Sequence, residues 1–290
     1  MAATSSRRDV LHFGCATAVA VGASALAPAG SLAQEAPARN ASAEDFFYRE
    51  DWFGEPWRTP ETAVLIHGNA ESSIVWYAWM PRMGQEFRVL RPDLPGFGRS
   101  RIPSGFEWSL PSLATYVAHV LDKAGIDSAH IIGAKTGGTV AMQFAADYPA
   151  RTRTLSVASG PASAPPTLAY ADPAQIPQAD RLGSAASKEM VDYWAKMFKT
   201  APKIPTQGLR NAITDLAKDG VLQRIKAPTL VLTGDQSKLQ SVEQALQYQR
   251  LIPNSRLVVL RSDAYHIAAV NAEECVANVL SFIRGARQKA

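Results

Sequence analysis

The chain has 290 residues, of which 47% are hydrophobic and 19% charged, with a formal net charge of +4. That composition belongs to a globular protein and excludes a disordered chain or a multi-pass membrane protein. The basic excess is mild and holds no run of five or six Lys/Arg, so nucleic acid is not an expected partner.

The first segment reads as an address. Ser6-Arg7-Arg8-Asp9-Val10-Leu11 is a twin-arginine pattern, and a weakly apolar Ala/Val/Gly run follows to about Gly30. Ser31-Leu32-Ala33 then places small residues where a signal peptidase reads. Residues 1–33 are therefore expected to be a Tat-type signal peptide that engages the export machinery and is removed. Gly14, Gly22, Pro28 and His12 make a poor spanning helix, so no stable membrane insertion is expected afterwards. The expected destination is the bacterial periplasm or beyond. Cleavage would lower the net charge by one, to +3, and leave Cys275 as the single cysteine. Cys275 lies in an apolar helical pattern and reads as a small core residue. No Cys/His cluster suggests a metal, and no cofactor is expected.

Residues 34–45 are a polar linker. Strands and helices then alternate, the pattern of a mainly parallel sheet covered on both faces. Strands are expected at 63–66, 87–93 and 130–133, with helices over 112–124 and 138–148 and a further strand at 152–159. The rhythm breaks at Gly160-Pro161. Residues 161–225 carry helical patterns at 187–199 and 208–218 and are expected to form a cap. The rhythm returns with a strand at 228–234, a helix at 242–251, a strand at 256–260 and a helix at 272–283. The core is thus assigned to residues 46–160 and 226–290, with the cap over the carboxyl ends of the strands, where open α/β sheets bind ligands.

Five stretches carry a resemblance: VLIHGNAESSIVWYAWMP, FRVLRPDLPGFGRS, HIIGAKTGGTVAMQFAADYPARTRTLSV, PTLVLTGDQS and SRLVVLRSDAYH. In this order and spacing they resemble the α/β-hydrolase fold superfamily, and within it the enol-lactonase and esterase-like group with a small helical cap. The resemblance implies a doubly wound α/β fold and a site at the strand ends. It places the backbone N–H groups of Asn69 and Thr136 as an oxyanion hole, which stabilises developing negative charge. It places His266 as general acid/base. The His67 side chain is expected only to shape its loop.

Two positions depart from that pattern. The tip of the Gly133-x-x-x-Gly137 turn, where the superfamily has a serine nucleophile, is Lys135. The position of the triad acid, counted from Gly234, is Ser237, and a serine cannot stabilise an imidazolium as a carboxylate does. Asp235 and Asp263 are the other candidates to orient His266. Lys135 is a poor acyl nucleophile, because attack on an ester would leave a stable amide. A helix N-terminus and burial both disfavour its ammonium form. A neutral Lys135 would form a Schiff base, as in a lyase or isomerase. A charged one would hold a carboxylate or enolate while His266 moves a proton. The sequence therefore points to an exported enzyme acting on a small ester, lactone or keto acid. The alternative is a catalytically inactive protein of this fold that binds a small ligand.

Overall fold

The computed structural model describes residues 46–163, 177, 181–237 and 240–288. The signal and linker segments, and residues 164–176 and 178–180 of the expected cap, lie outside the described residues. Within them, seven strands form one sheet: β1 (Tyr48–Asp51), β2 (Glu61–Ile66), β3 (Phe87–Pro92), β4 (Ala129–Ala134), β5 (Thr152–Ala158), β6 (Thr229–Gly234) and β7 (Ser255–Leu260), in the order β1-β3-β2-β4-β5-β6-β7. Only β1 pairs antiparallel, with β3; every other neighbouring pair is parallel. The central strands β4 and β6 are buried at every residue, as a sheet covered on both faces requires.

The helices follow from local signals. α1 (Met80–Glu86) continues a 3₁₀ segment at Ser73–Trp79. α2 (Leu110–Lys123) starts at Ser109, whose side chain accepts the Ser112 N–H, with a proline in its first turn. Its Leu113, Tyr116, Val117, Val120 and Leu121 form the stripe that packs on the sheet. α3 (Thr136–Asp147) starts directly from the end of β4. Between β5 and β6 lie α4 (Lys188–Lys199), α5 (Lys203–Ala212) and α6 (Val221–Arg224), and α7 (Val242–Gln249), α8 (Ile267–Val270) and α9 (Ala272–Arg287) complete the fold.

One helix differs from the sequence expectation. The pattern at 208–218 predicts a helix that the structure begins at Lys203 and ends at Ala212. Pro205 sits in the first turn, where its missing N–H costs nothing. Beyond the helix, Asp215 accepts the N–H groups of Ala217 and Lys218 and makes a turn instead. Cys275 is buried in α9, and burial pushes its thiol up. Trp76 and Trp79 are also core residues, packed edge to face with ring centroids 5.0 Å apart. No helix among the described residues is long and apolar enough to cross a membrane.

Candidate functional site

Close backbone packing fixes the turn between β4 and α3. A Cβ on Gly133 would lie 2.3 Å from the Gly137 carbonyl oxygen, and one on Gly137 would lie 2.3 Å from the carbonyls of Ile66 and His67. Only glycine fits either place. The turn forces Lys135 to φ 53° and ψ −130°, a conformation that costs a non-glycine residue roughly 1–3 kcal/mol. Its N–H donates to the Ala158 carbonyl of β5 and its carbonyl accepts the Gly138 N–H. The strain aims one side chain out of the strand ends. Here that side chain is a lysine, 5% exposed.

Lys135 Nζ meets the carboxylate of Glu71, a residue the sequence reading did not single out. Glu71 Oε1 accepts from Lys135 and also lies 3.1 Å from His266 Nε2. Glu71 Oε2 accepts the Gly68 N–H at 3.0 Å. The Glu71 side chain has no exposed surface. The His266–Glu71 approach lies off the ring N–H direction, so it is an electrostatic contact more than a directed hydrogen bond. The His266 Nδ1 has no hydrogen-bond partner among the described residues.

Aromatic rings from α4, between β5 and β6, pack against these groups. Trp194 of α4 stands edge to face with the His266 ring, centroids 4.8 Å apart. Phe198 of α4 lies 5.2 Å from Lys135 Nζ and 3.3 Å from the Arg181 guanidinium. The Arg181 carbonyl also accepts the backbone N–H of His266, at 3.1 Å. A buried charge needs compensation. Burial alone would push the Glu71 carboxyl up, but the Lys135 ammonium beside it prevails and holds it far below the carboxylate range. Burial pushes Lys135 down to about 8, with Glu71 pulling it back up and Arg181 adding to the fall. Burial also lowers His266, against the raising effect of Glu71. At neutral pH Glu71 is therefore an anion, Lys135 mainly an ammonium and His266 neutral.

The structure brings together Lys135, His266, Asn69 and Thr136 at this end of the sheet, with one unexpected pairing. The Asn69 N–H donates to the Thr136 hydroxyl at 2.7 Å, so in this conformation it is already engaged. Two of the three candidates for orienting His266 accept backbone N–H groups elsewhere. Asp235 accepts the Ser262 N–H at 2.8 Å, and Asp263 accepts the Ser184 N–H on both oxygens. The Ser237 hydroxyl has no hydrogen-bond partner among the described residues. The carboxylate at His266 is that of Glu71, and it faces Nε2. His67 is wholly buried. Its Nδ1 meets the Gly68 carbonyl and its Nε2 accepts the Leu94 N–H, so it shapes the loop as a neutral ring. Asp93 accepts the N–H groups of Ser73 and Arg99 and makes a structural turn. Among the described residues no group of three His, Cys, Asp or Glu side chains could hold a metal ion.

This architecture has known relatives. A family model described as alpha/beta hydrolase fold matches residues 63–181. The chain is 40% identical over 99 residues to a pimeloyl-[acyl-carrier protein] methyl ester esterase of Aeromonas hydrophila, a match covering 34% of this chain and 37% of that one. It is 33% identical over 95 residues to a 2-hydroxy-6-oxo-2,4-heptadienoate hydrolase of Pseudomonas putida, covering 32% of this chain and 34% of that one. The chain thus spans little more than a third of the length of these two relatives. The enol-lactonase of Burkholderia xenovorans LB400 superposes with a TM-score of 0.72 at 20% identity, covering 86% of this chain and 100% of that structure. The chain has the α/β-hydrolase fold.

Proposed function

We propose that the protein is a cofactor-independent enzyme acting on a small carbonyl compound, an ester, lactone or keto acid, with Lys135 as electrophile and His266 as acid/base. The observation that carries this reading is the buried contact set of Lys135, Glu71 and His266 at the turn where this fold presents its reacting side chain. A buried ion pair is often no more stable than well-packed apolar residues, so stability alone is a weak reason to keep one there.

The charges assign the roles. Glu71, held far below the carboxylate range, is a poor proton acceptor and acts as the fixed counter-ion. Lys135, pushed down to about 8 by burial, still carries its proton at neutral pH and supplies the positive charge of the site. In hydrolysis, neutral His266 takes a proton from water as the water oxygen attacks the carbonyl carbon. The Lys135 ammonium and the Thr136 N–H face the oxyanion that forms; the Asn69 N–H would join them when the Thr136 hydroxyl turns away. Collapse breaks the bond to the leaving oxygen, which recovers the proton from His266. The names of the two matched hydrolases, an esterase and a hydrolase of an oxo acid, fit a carbonyl substrate. We also infer export through the twin-arginine pattern at Arg7–Arg8 to the periplasm or beyond, which cell fractionation tests.

Initial rates on short-chain aryl esters, six-membered lactones and oxo acids, compared with Lys135→Ala, test the reading. Turnover that Lys135→Ala abolishes supports it. No turnover of any class above that variant contradicts it. Borohydride reduction in the presence of ketones and keto acids tests the charge state. The account expects no substrate-sized mass gain, and a gain lost in Lys135→Ala would move the chemistry to a Schiff base. A second reading, an inactive ligand-binding protein, is favoured by the engaged Asn69 N–H and by Glu71 filling the space at Lys135. Saturable ligand binding without turnover would establish it.

A further inference from the structure

The Glu71 carboxylate fills the space at the tip of the β4–α3 turn. It lies against the strained turn, between the Lys135 ammonium, the Gly68 N–H and the His266 ring, and every one of these comes from a different segment of the chain. The space is cut close. A Cβ on Gly68 would lie 3.1 Å from both Glu71 Oε2 and Lys135 Cβ, so the bare backbone there is what lets an oxygen reach the Gly68 N–H.

The loop that delivers Glu71 is held under tension. Ala70, its neighbour, has φ 60°, in the left-handed region that disfavours any residue with a Cβ. Asn69 holds that conformation by accepting the Ala70 N–H on its own side chain at 2.9 Å. The Asn69 amide also donates to the Thr206 carbonyl of α5, at 3.0 Å. The conformation of the loop before Glu71 thus rests on a single side chain, Asn69, tied to both Ala70 and α5. Strain of this kind persists only where the surroundings impose it. The fully buried His266 also keeps Nδ1 without a hydrogen-bond partner among the described residues, so the cluster has polar capacity left over.

We propose that the cradle of Gly68 N–H, Lys135 ammonium and His266 imidazole is a binding site for the carboxylate of a small exogenous acid, taken in exchange for Glu71. The proposal shares with the proposed function the premise that this space receives a ligand. It goes further in naming the ligand's anchoring group and the side chain that gives way. The carboxylate released by ester or lactone hydrolysis belongs to this class, so the product of such a reaction would compete for the cradle. Because Glu71 is tethered, its effective concentration is high, and an external acid meets it as an intramolecular competitor. The wild-type protein should therefore bind such acids weakly, at about millimolar levels or above. Removal of the Glu71 carboxylate should tighten binding by at least tenfold.

The test titrates acetate and pyruvate, with chloride at matched ionic strength as control, by calorimetry and by the ¹H–¹⁵N signals of the His266 ring. The proteins are wild type, Glu71→Ala, Glu71→Gln, Lys135→Met and the double variant Glu71→Ala/Lys135→Met. The expected result is weak saturable binding in wild type, at least tenfold tighter binding in Glu71→Ala, and loss in both proteins lacking Lys135. Folded Glu71→Ala that binds no tighter than wild type overturns the proposal, and so does binding that survives Lys135→Met. Wild type that never binds also overturns it, since Glu71 then does not exchange. If Glu71→Ala does not fold, Glu71→Gln takes its place; if neither folds, wild type against Lys135→Met decides. No readout uses turnover. A protein that binds acetate through Lys135 yet turns nothing over overturns the enzyme reading alone. One that hydrolyses esters yet binds no acid overturns this inference alone.

Discussion

The molecule contains two clusters of glutamate, histidine and cation, one at each end of the sheet. At the start of β2, Glu61 meets Arg153, Arg287 and, at 3.4 Å, His130. At the far ends of the strands, Glu71 meets Lys135 and His266. The Glu61 side chain is 29% exposed and that of Glu71 is 0% exposed. Water screens the first cluster, and its ion pairs act as a surface clasp of small value. His130 is pushed down to about 4, first by burial, so it stays neutral. It donates or accepts at the Thr154 hydroxyl, 2.9 Å away, as a structural ring. In the second cluster the side chains are nearly shut off from solvent, and each group depends on the others for its protonation state. The same residue types make a clasp where solvent reaches them and a charge set of mutually dependent groups where they are buried.

The largest expected difference is in turnover. Lys135→Ala should lower kcat/KM on any ester or lactone the protein hydrolyses by about 10³-fold, the scale of a lost oxyanion donor. Glu61→Gln should leave it within about twofold. His266→Ala should cost roughly 10²–10⁴-fold, the range of a lost acid/base. A loss from Glu61→Gln comparable with that from Lys135→Ala would erase the distinction between the clusters.

Stability should separate them next. Glu71→Ala strands the buried Lys135 ammonium and should cost about 3 kcal/mol or more in denaturant unfolding. Glu61→Ala should cost about 1 kcal/mol or less.

The pH dependence sharpens the contrast further. Folded Lys135 loses its proton near 8, below the 10.5 of an exposed lysine, so between those values the unfolded chain binds the extra proton. Stability therefore rises with pH across that window, measured against Lys135→Met, and the burial penalty is present in full below about pH 8. Activity that needs the ammonium should fall as pH passes about 8. Glu71→Gln removes the main influence holding Lys135 up, so the descending limb should move to lower pH.

Much of the frame was legible because buried parallel strands are nearly continuous apolar runs. β2, β4, β5 and β6 fall within two residues of their expected ends, and β7, an edge strand, does so through its apolar Leu257–Leu260 run. β1 was not legible. Its Tyr-Arg-Glu-Asp has no apolar run, since an edge strand buries little of its side chains. The helix at Lys203–Ala212 was displaced because periodicity alone missed the proline-tolerant first turn. Lys135 and His266 stood out by their place in recognisable motifs. Glu71 did not, because its meaning lies in partners distant in sequence. A lone glutamate in His67-Gly68-Asn69-Ala70-Glu71 reads as a solvated loop residue. The one signal available was its charge between a glycine turn and the apolar run of Val75, Trp76 and Trp79.

The most direct test of the central claim is the titration of the Lys135 side chain by ¹³Cε NMR, with Lys135→Met to assign the signal. The account predicts a midpoint near 8, moving lower in Glu71→Gln. A midpoint near 10.4, the value of an ordinary lysine, unchanged in Glu71→Gln, would contradict it, because Lys135 would then be solvated and unpaired with Glu71.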